Sequence, residues 1–455
     1  MKRFFNRRLF TRHCIFFLLL LNGLVGHSQE KIRLSGKDEQ EQRVGMERFM
    51  RHMERDPQGA RDSMKRARIK WNLVEAEQRV EGYRLNNNLD TLKEIDLSYA
   101  QLTEIPEFVY KAKKLETLVL DYNSITKLPR QLRGLDSLKR IYWRDNKLGG
   151  ARPKIRKLIQ VKKLSLADNS LEKLPKTKRL AGLEILELKG NEFEGIPVNR
   201  LKKNRKLKEL AIGENPLKIE KAKYEKLAFL KSFKANKCGL ETVHPSFYLL
   251  TGLDEIQLQE NRLKHLPDGI SNLKSLTKFS CYQNKLEDMP SDFFSLSRLK
   301  VADLYYNQLE TIPKEIGNLD SLEVLYLSHN KIFSLPNELG QLTELRELYL
   351  HHNRLSVLPE SLKNLNRLKI VRVNDNYLLD FPSQFLNIKS LEEVDVDNNE
   401  LTTLPAEVEQ MSSLTLFTFL NNSIELTSKE NIHVSNMIER MLKRGVFCKP
   451  AIYQE

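Results

Sequence analysis

From Leu92 onward, apolar residues return with a fixed phase in the pattern L-x-x-L-x-L-x-x-N-x-L. Copies begin at Leu92, Leu115, Leu138, Val161, Leu183, Leu207, Leu230, Leu253, Leu276, Leu299, Leu322, Leu345, Leu368, Leu391 and Leu414. The step is 23 residues, except for one of 22 and one of 24 around Leu183. In Leu322-Glu323-Val324-Leu325-Tyr326-Leu327, the alternation of Leu325 and Leu327 with outward positions predicts a short strand with one buried face. Asn330 stands where the chain must turn, and thirteen of the fifteen copies carry Asn there, from Asn123 to Asn422. A buried Asn satisfies backbone groups of its own turn and the next, so stacked copies predict a ladder. The exceptions are Ala100, in the first copy, and Cys238, a small buried substitute. Pro336 then stops strand continuation, and Leu339 and Leu342 return the outer segment to the core.

These fifteen in-phase copies resemble the leucine-rich repeat superfamily over about three quarters of the chain. The 23-residue form with L-P-x-x-I/L is similar to the subgroup holding Ras-pathway scaffold proteins, plant Ras-group repeats and many bacterial proteins. The resemblance implies an α/β solenoid: a right-handed horseshoe of about fifteen repeats with a concave parallel sheet, short helical or irregular convex segments and helical caps. The third, sixth, seventh and fifteenth repeats depart from the hydrophobic-Pro signature (Leu148-Gly149-Gly150, Val243-His244-Pro245), so a less regular convex face is expected there.

An open solenoid end exposes core, so both ends should be capped. Residues 37–80 read as a charged αα-hairpin broken at Asp56-Pro57-Gln58-Gly59, with Val44, Phe49, Met50 and Met53 as a packing stripe. A coiled-coil partner helix is the rival reading, against which the heptads are not sustained. Trp71, Leu73 and Val74 are expected near the first repeat. At the other end Ile432, Met437, Ile438, Met441 and Leu442 predict one apolar helix face, with Gly445 as C-cap. The organisation expected is a leader over 1–28, a helical cap region over 29–91, the solenoid over 92–427, and a helical cap and tail over 428–455.

The leader changes the charge balance. Lys2, Arg3, Arg7, Arg8 and Arg12 precede an apolar run from Cys14 to Leu21, continued by Leu24 and Val25; Gly26 and Ser28 then frame a cleavage site before Gln29. This order reads as a secretory signal peptide, cleaved near Ser28-Gln29, rather than an uncleaved anchor. No lipobox precedes Cys14, which disfavours a lipoprotein, and no later run reaches a membrane-spanning length. Cleavage lowers the formal charge from +15 to +10. Four cysteines in 455 residues exclude a disulfide scaffold. Cys238 and Cys281 lie about 10 Å apart at sheet spacing, too far to bridge, so Cys238, Cys281 and Cys448 are expected as free thiols, the last in a flexible tail.

No phosphate loop, H-E-x-x-H, G-x-S-x-G or C-x-x-C motif occurs, and no cofactor is expected. Bacterial leucine-rich-repeat ubiquitin ligases append a large domain with a nucleophilic Cys, whereas about thirty residues follow the last repeat here. The expected function therefore lies on the concave sheet, about 70 Å long at strand spacing, which suits a protein, an extended peptide or a glycan. The third, fifth, seventh and eighth positions carry sixteen acidic residues and eight basic ones, so this face reads as net acidic in a basic chain and disfavours nucleic acid. Tyr282, Tyr305, Tyr306, Tyr326 and Tyr349 crowd four successive repeats, with His329, His351 and His352 beside them and Arg372 at the edge. Tyr and Arg are common interface anchors, which makes these nine residues the candidate partner-binding site. Rings that merely support cross-strand neighbours are the competing reading. Asp375, Glu393, Asp395 and Asp397 form an acidic patch beyond, and Tyr99, Tyr122 and Tyr142 form a smaller cluster. His329, His352 and Asp375 share one column; a divalent metal there is disfavoured because adjacent strand columns converge poorly.

The reading from sequence is an exported (periplasmic or secreted), non-enzymatic binding module of a bacterium. A surface adhesin or glycan binder is one alternative. An intracellular signalling scaffold is the other, and requires that the N-terminus not be a signal.

Overall fold

The computed structural model describes residues 72–449, apart from residues 128, 150–157, 175–179 and 430. The leader, the part of the hairpin expected over 37–80 that precedes residue 72, with its coiled-coil rival, and Trp71 lie outside the described residues. From Leu73 onward the described residues belong to one unit.

Each repeat contributes one three-residue strand at its third to fifth positions, from β1 (Glu94–Asp96) to β15 (Leu416–Thr418). The strands pair in chain order, all parallel, in one sheet. In β10 (Val301–Asp303) and β11 (Val324–Tyr326), Val301 faces Val324 and Asp303 faces Tyr326. Like positions therefore stand side by side, and a column read from the sequence is a column in space. Lys163 faces Ile185 and Ile185 faces Glu209, so the 22- and 24-residue steps are absorbed outside the strands.

The alternation predicted for the strands is what buries the core. Leu325 and Leu327 are buried while Val324 and Tyr326, between and beside them, are only partly covered. Pro336 ends the run, the 3-10 turn Asn337–Gln341 follows, and Leu339 and Leu342 close the back of the repeat. Where the signature fails at Val243-His244-Pro245, proline enters one residue late and a turn over Pro245–Leu249 still forms, with His244 accepting from the Ser246 amide.

Beneath the turn runs the expected ladder. Asn353 Nδ2 donates to the carbonyls of Leu327 at 3.0 Å, Leu350 at 2.9 Å and His351 at 3.5 Å, and its Oδ1 accepts from the Ile332 amide at 3.0 Å. Cys238 keeps a reduced version, with its thiol donating to the Ile212 and Asn236 carbonyls at 3.5 and 3.6 Å. Cys281 and Cys238 are both buried and free.

The ends correct three expectations. Residues 72–85 form a helix, but Leu73 is only half-buried and Val74 is exposed; Ala76, Val80 and Tyr83 make the packing against the first repeat. In the C-terminal helix Ile432–Lys443, Val434, Met437, Ile438 and Met441 are buried, whereas Ile432 and Leu442 face solvent. The hundred-degree step per residue carries 432 and 442 off the stripe defined by 434, 437, 438 and 441. Gly445, at φ 84°, ends the helix in the left-handed conformation favoured by glycine. The tail is not loose at Cys448: Phe447–Lys449 is a sixteenth strand, β16, paired with β15. Cys448 is buried within it, and burial pushes its thiol up to about 11. Among the described residues no helix is long and apolar enough to cross a membrane.

Candidate functional site on the concave sheet

The site is built on β9 (Lys278–Ser280), β10, β11, β12 (Glu347–Tyr349) and β13 (Ile370–Arg372), and on the residues that follow each strand. Three columns cross it, set by the fifth, seventh and eighth positions of the repeat. In the fifth, Tyr326 and Tyr349 stack at 4.7 Å and 14°, and the Arg372 guanidinium lies 5.7 Å from the Tyr349 ring centre. In the seventh, Tyr282 and Tyr305 stack at 5.4 Å, and His351 Nδ1 bonds the Ser328 hydroxyl at 2.8 Å. In the eighth, Tyr306 stacks on His329 at 4.0 Å and 13°, His329 meets His352 at 4.0 Å, and His352 Nε2 is 3.4 Å from Asp375 Oδ2. Tyr305 joins the columns, lying edge-on to His329 at 4.9 Å and 5.8 Å from His351. The nine candidate residues thus form one continuous surface.

The eighth column has a backbone cause that sequence reasoning missed. The residue before each ladder position adopts positive φ in all fifteen repeats, at 55° for Tyr306 and 53° for His329 and His352. This left-handed step lets the next side chain, usually Asn, turn inward under the sheet. It costs roughly 1 kcal/mol or more for a residue with a Cβ. Only Gly190 in this column avoids that cost. The signal was present in the excess of Asp, Asn and Gly at this position: Asp145, Asp168, Gly190, Asp375, Asn398 and Asn421. Tyr and His at the same place are strained residues whose rings recover part of the cost by stacking.

Packing also sets the electrostatics. Burial, then repulsion from His329, His352 and Arg372, lowers His351 to about 4, and His329 is lowered mainly by burial. Burial pushes Tyr305 up to about 12 and raises Tyr326 and Tyr349, so the phenols remain neutral donors near pH 7. The His329 and His352 rings lie 4.0 Å apart with their planes tilted by 33°, facing one another rather than turning their ring nitrogens to a common point. No group able to hold a metal ion occurs among the described residues.

The histidine shift gives a pH expectation. With its folded value near 4 and an ordinary value of 6.5, His351 takes its proton in the unfolded chain first. Its neutral ring contributes stability in full above pH 6.5, and that contribution is lost as pH falls toward 4. Asp397 acts with the opposite sign: burial and the Asp395 charge raise it to about 6, so its contribution grows as pH falls from about 6 to 3.8. Between pH 7 and 4.5 the unmodified protein is expected to lose more melting temperature than His351→Gln. Equal losses in parallel thermal scans would remove His351 from the account.

The smaller tyrosine group is only partly assembled. Tyr99 and Tyr122 stack at 4.3 Å, again in the eighth column, with Arg144 5.7 Å from the Tyr122 ring centre. Tyr142 instead carries the Lys163 ammonium 5.1 Å from its ring centre.

The repeats match two family descriptions, a leucine-rich repeat region over residues 249–441 and a leucine rich repeat over residues 88–148. The structure of a leucine-rich-repeat protein of Leptospira interrogans is similar with a TM-score of 0.67 and 27% identity, covering 82% of this chain and 98% of that one. The plant peptide hormone receptor RGFR1, solved in complex with RGF2, is similar with a TM-score of 0.54 and 27% identity, over 70% of this chain and 53% of the receptor chain. Osteomodulin of Rattus norvegicus is 29% identical over 184 residues, 39% of this chain, and the match spans 42% of osteomodulin's length. With fifteen parallel strands in register above a common asparagine ladder, the chain belongs to the leucine-rich repeat superfamily.

Proposed function

We propose that the chain is an exported, non-enzymatic binding protein that holds a protein or extended peptide against its concave face between β9 and β13. The observation that carries this reading is the joined ring network of Tyr282, Tyr305, Tyr306, Tyr326, Tyr349, His329, His351 and His352 with Arg372 at its margin. Large, stiff side chains that keep polar tips are what interface centres use. The peptide class draws support from RGFR1, whose structure is a complex with RGF2. A sugar ring stacks on an open aromatic face, and here Tyr282/Tyr305, Tyr306/His329 and Tyr326/Tyr349 turn faces toward one another. Ring edges are left, with the Tyr349 hydroxyl already donating to Glu347 at 2.9 Å, which favours a protein surface over a glycan. Export rests on the basic and apolar order of residues 1–28.

Protein purified from its native source is expected to begin at Gln29, and an intact Met1 would instead favour the intracellular scaffold. Hydrogen exchange of the full chain with a captured partner is expected to slow over residues 278–306 and 324–352. Slowing confined to the convex turns, with none on the strands, would overturn the concave reading.

A further inference from the structure

The concave face is zoned by charge. Between β3 (Arg140–Tyr142) and β8 (Glu255–Gln257), cations and carboxylates neutralise one another across neighbouring repeats. Lys163 pairs with Glu187 at 2.6 Å, Lys234 with Glu209 at 2.9 Å, and Lys189 with Glu214 and Lys237 with Glu260 at 3.1 Å. The ring network follows over β9 to β12, with Lys278, Asp303 and Glu347 as its charges in the four outward columns. From β13 through β14 (Glu393–Asp395) to β15, the same columns hold Asp375, Glu393, Asp395 and Asp397 against one cation, Arg372.

That cation is already engaged, with Arg372 3.2 Å from Glu393 and lying over Tyr349. Asp375 leans on His352. Among the described residues, Asp395 and Asp397 have no cation within 4 Å. Lys449, in β16, stands two strands from Asp395, roughly 10 Å away at sheet spacing. Both carboxylates are held by backbone: Asp395 Oδ1 accepts from the Asp397 amide at 3.0 Å, and Asp397 Oδ1 accepts from the Leu420 amide at 2.6 Å. Their positions are therefore fixed; the Thr418 side chain and, from farther off, the Lys449 ammonium favour the Asp397 charge only in part, and no cation stands at contact distance to offset the repulsion. Burial first, and the Asp395 charge second, raise Asp397 to about 6.

We infer that the bound segment is a polar-ended peptide of about seven residues, with apolar or aromatic side chains on the ring network and Lys or Arg side chains on Asp395 and Asp397. The inference rests on the binding reading above and adds the chemistry and polarity of the partner. The length follows from the five strand spacings between β9 and β14, about 24 Å, divided by the reach of an extended residue. A cation placed at Asp395 and Asp397 removes their repulsion, and being confined to one end it sets the register of the segment.

The probe is a random heptamer library displayed on phage and selected on the full-length protein at low ionic strength. Selected peptides are expected to carry Tyr, Trp, Phe or Leu toward one end and Lys or Arg toward the other. Against Asp395→Asn/Asp397→Asn, which keeps the side-chain carbonyl acceptors, their affinity is expected to fall roughly tenfold and its salt dependence to flatten. The same peptides with Lys and Arg changed to Glu should lose as much on the unmodified protein, a measurement that does not depend on the variant folding. Peptides that lose binding on Tyr305→Ala yet show no basic end would overturn the polarity alone. No selected peptide, or selection indifferent to Tyr305→Ala, would overturn the binding reading with it.

Discussion

With Tyr305, Tyr326 and Tyr349 all replaced by Ala, affinity for a partner held by the concave face is expected to fall at least about 100-fold, because truncating an interface anchor costs about 2 kcal/mol or more. The fold is expected to persist. All three side chains leave the sheet on its outward side, at strand or post-strand positions, and none lies in the left-handed column. What the fold loses is the Tyr326–Tyr349 and Tyr282–Tyr305 stacks, worth about 0.5–1.5 kcal/mol each. Tyr306 is left in place because its φ of 55° couples any substitution there to backbone strain. Titration calorimetry with a captured partner reads the first effect and circular dichroism the second. Unchanged affinity with an unchanged spectrum would move the search to the convex turns or the N-terminal helix.

The largest stability effect is expected from Asn353→Ala. Asn353 is buried and serves three carbonyls and one amide, drawn from its own repeat and the one before it. Alanine leaves those groups without partners, and a buried unsatisfied group costs about 1–3 kcal/mol. Even with partial relaxation a loss of about 3–5 kcal/mol is expected. Because a repeat array is stabilised through neighbour interfaces, the loss should appear first as faster amide exchange in the repeats beginning at Leu322 and Leu345. Asn422 makes the same set of bonds but is only partly buried, so Asn422→Ala should cost less as water replaces the amide. Equal costs at both positions would show that the ladder does not act through buried hydrogen bonds.

Much of the fold was legible because each repeat states the same physics fifteen times. Leucine at alternate strand positions, Asn at the turn and Pro after it are local choices that agree with one another, and their repetition leaves a single phase. The candidate site was legible as a set of neighbours for the same reason: constant spacing turns a column of letters into a column of side chains. The ends were less legible, since only one copy of each exists. Val434 replaced Ile432 and Leu442 in the buried stripe, and Phe447–Lys449 joined the sheet without a repeat motif to announce it.

By itself the sequence determined the strand register, the asparagine ladder and the membership of the nine-residue surface, because periodic burial admits one alignment of such repeats. Only the tertiary structure decided how those residues use one another. Stacking direction depends on the left-handed backbone at Tyr306, His329 and His352, which no pairwise spacing specifies. The cancellation of charge across the earlier repeats, and its failure at Asp395 and Asp397, depends on which long side chains reach a neighbour about 4.8 Å away. Reach and orientation are properties of packed side chains in three dimensions, and they convert a net acidic column into a face with one aromatic and one anionic end.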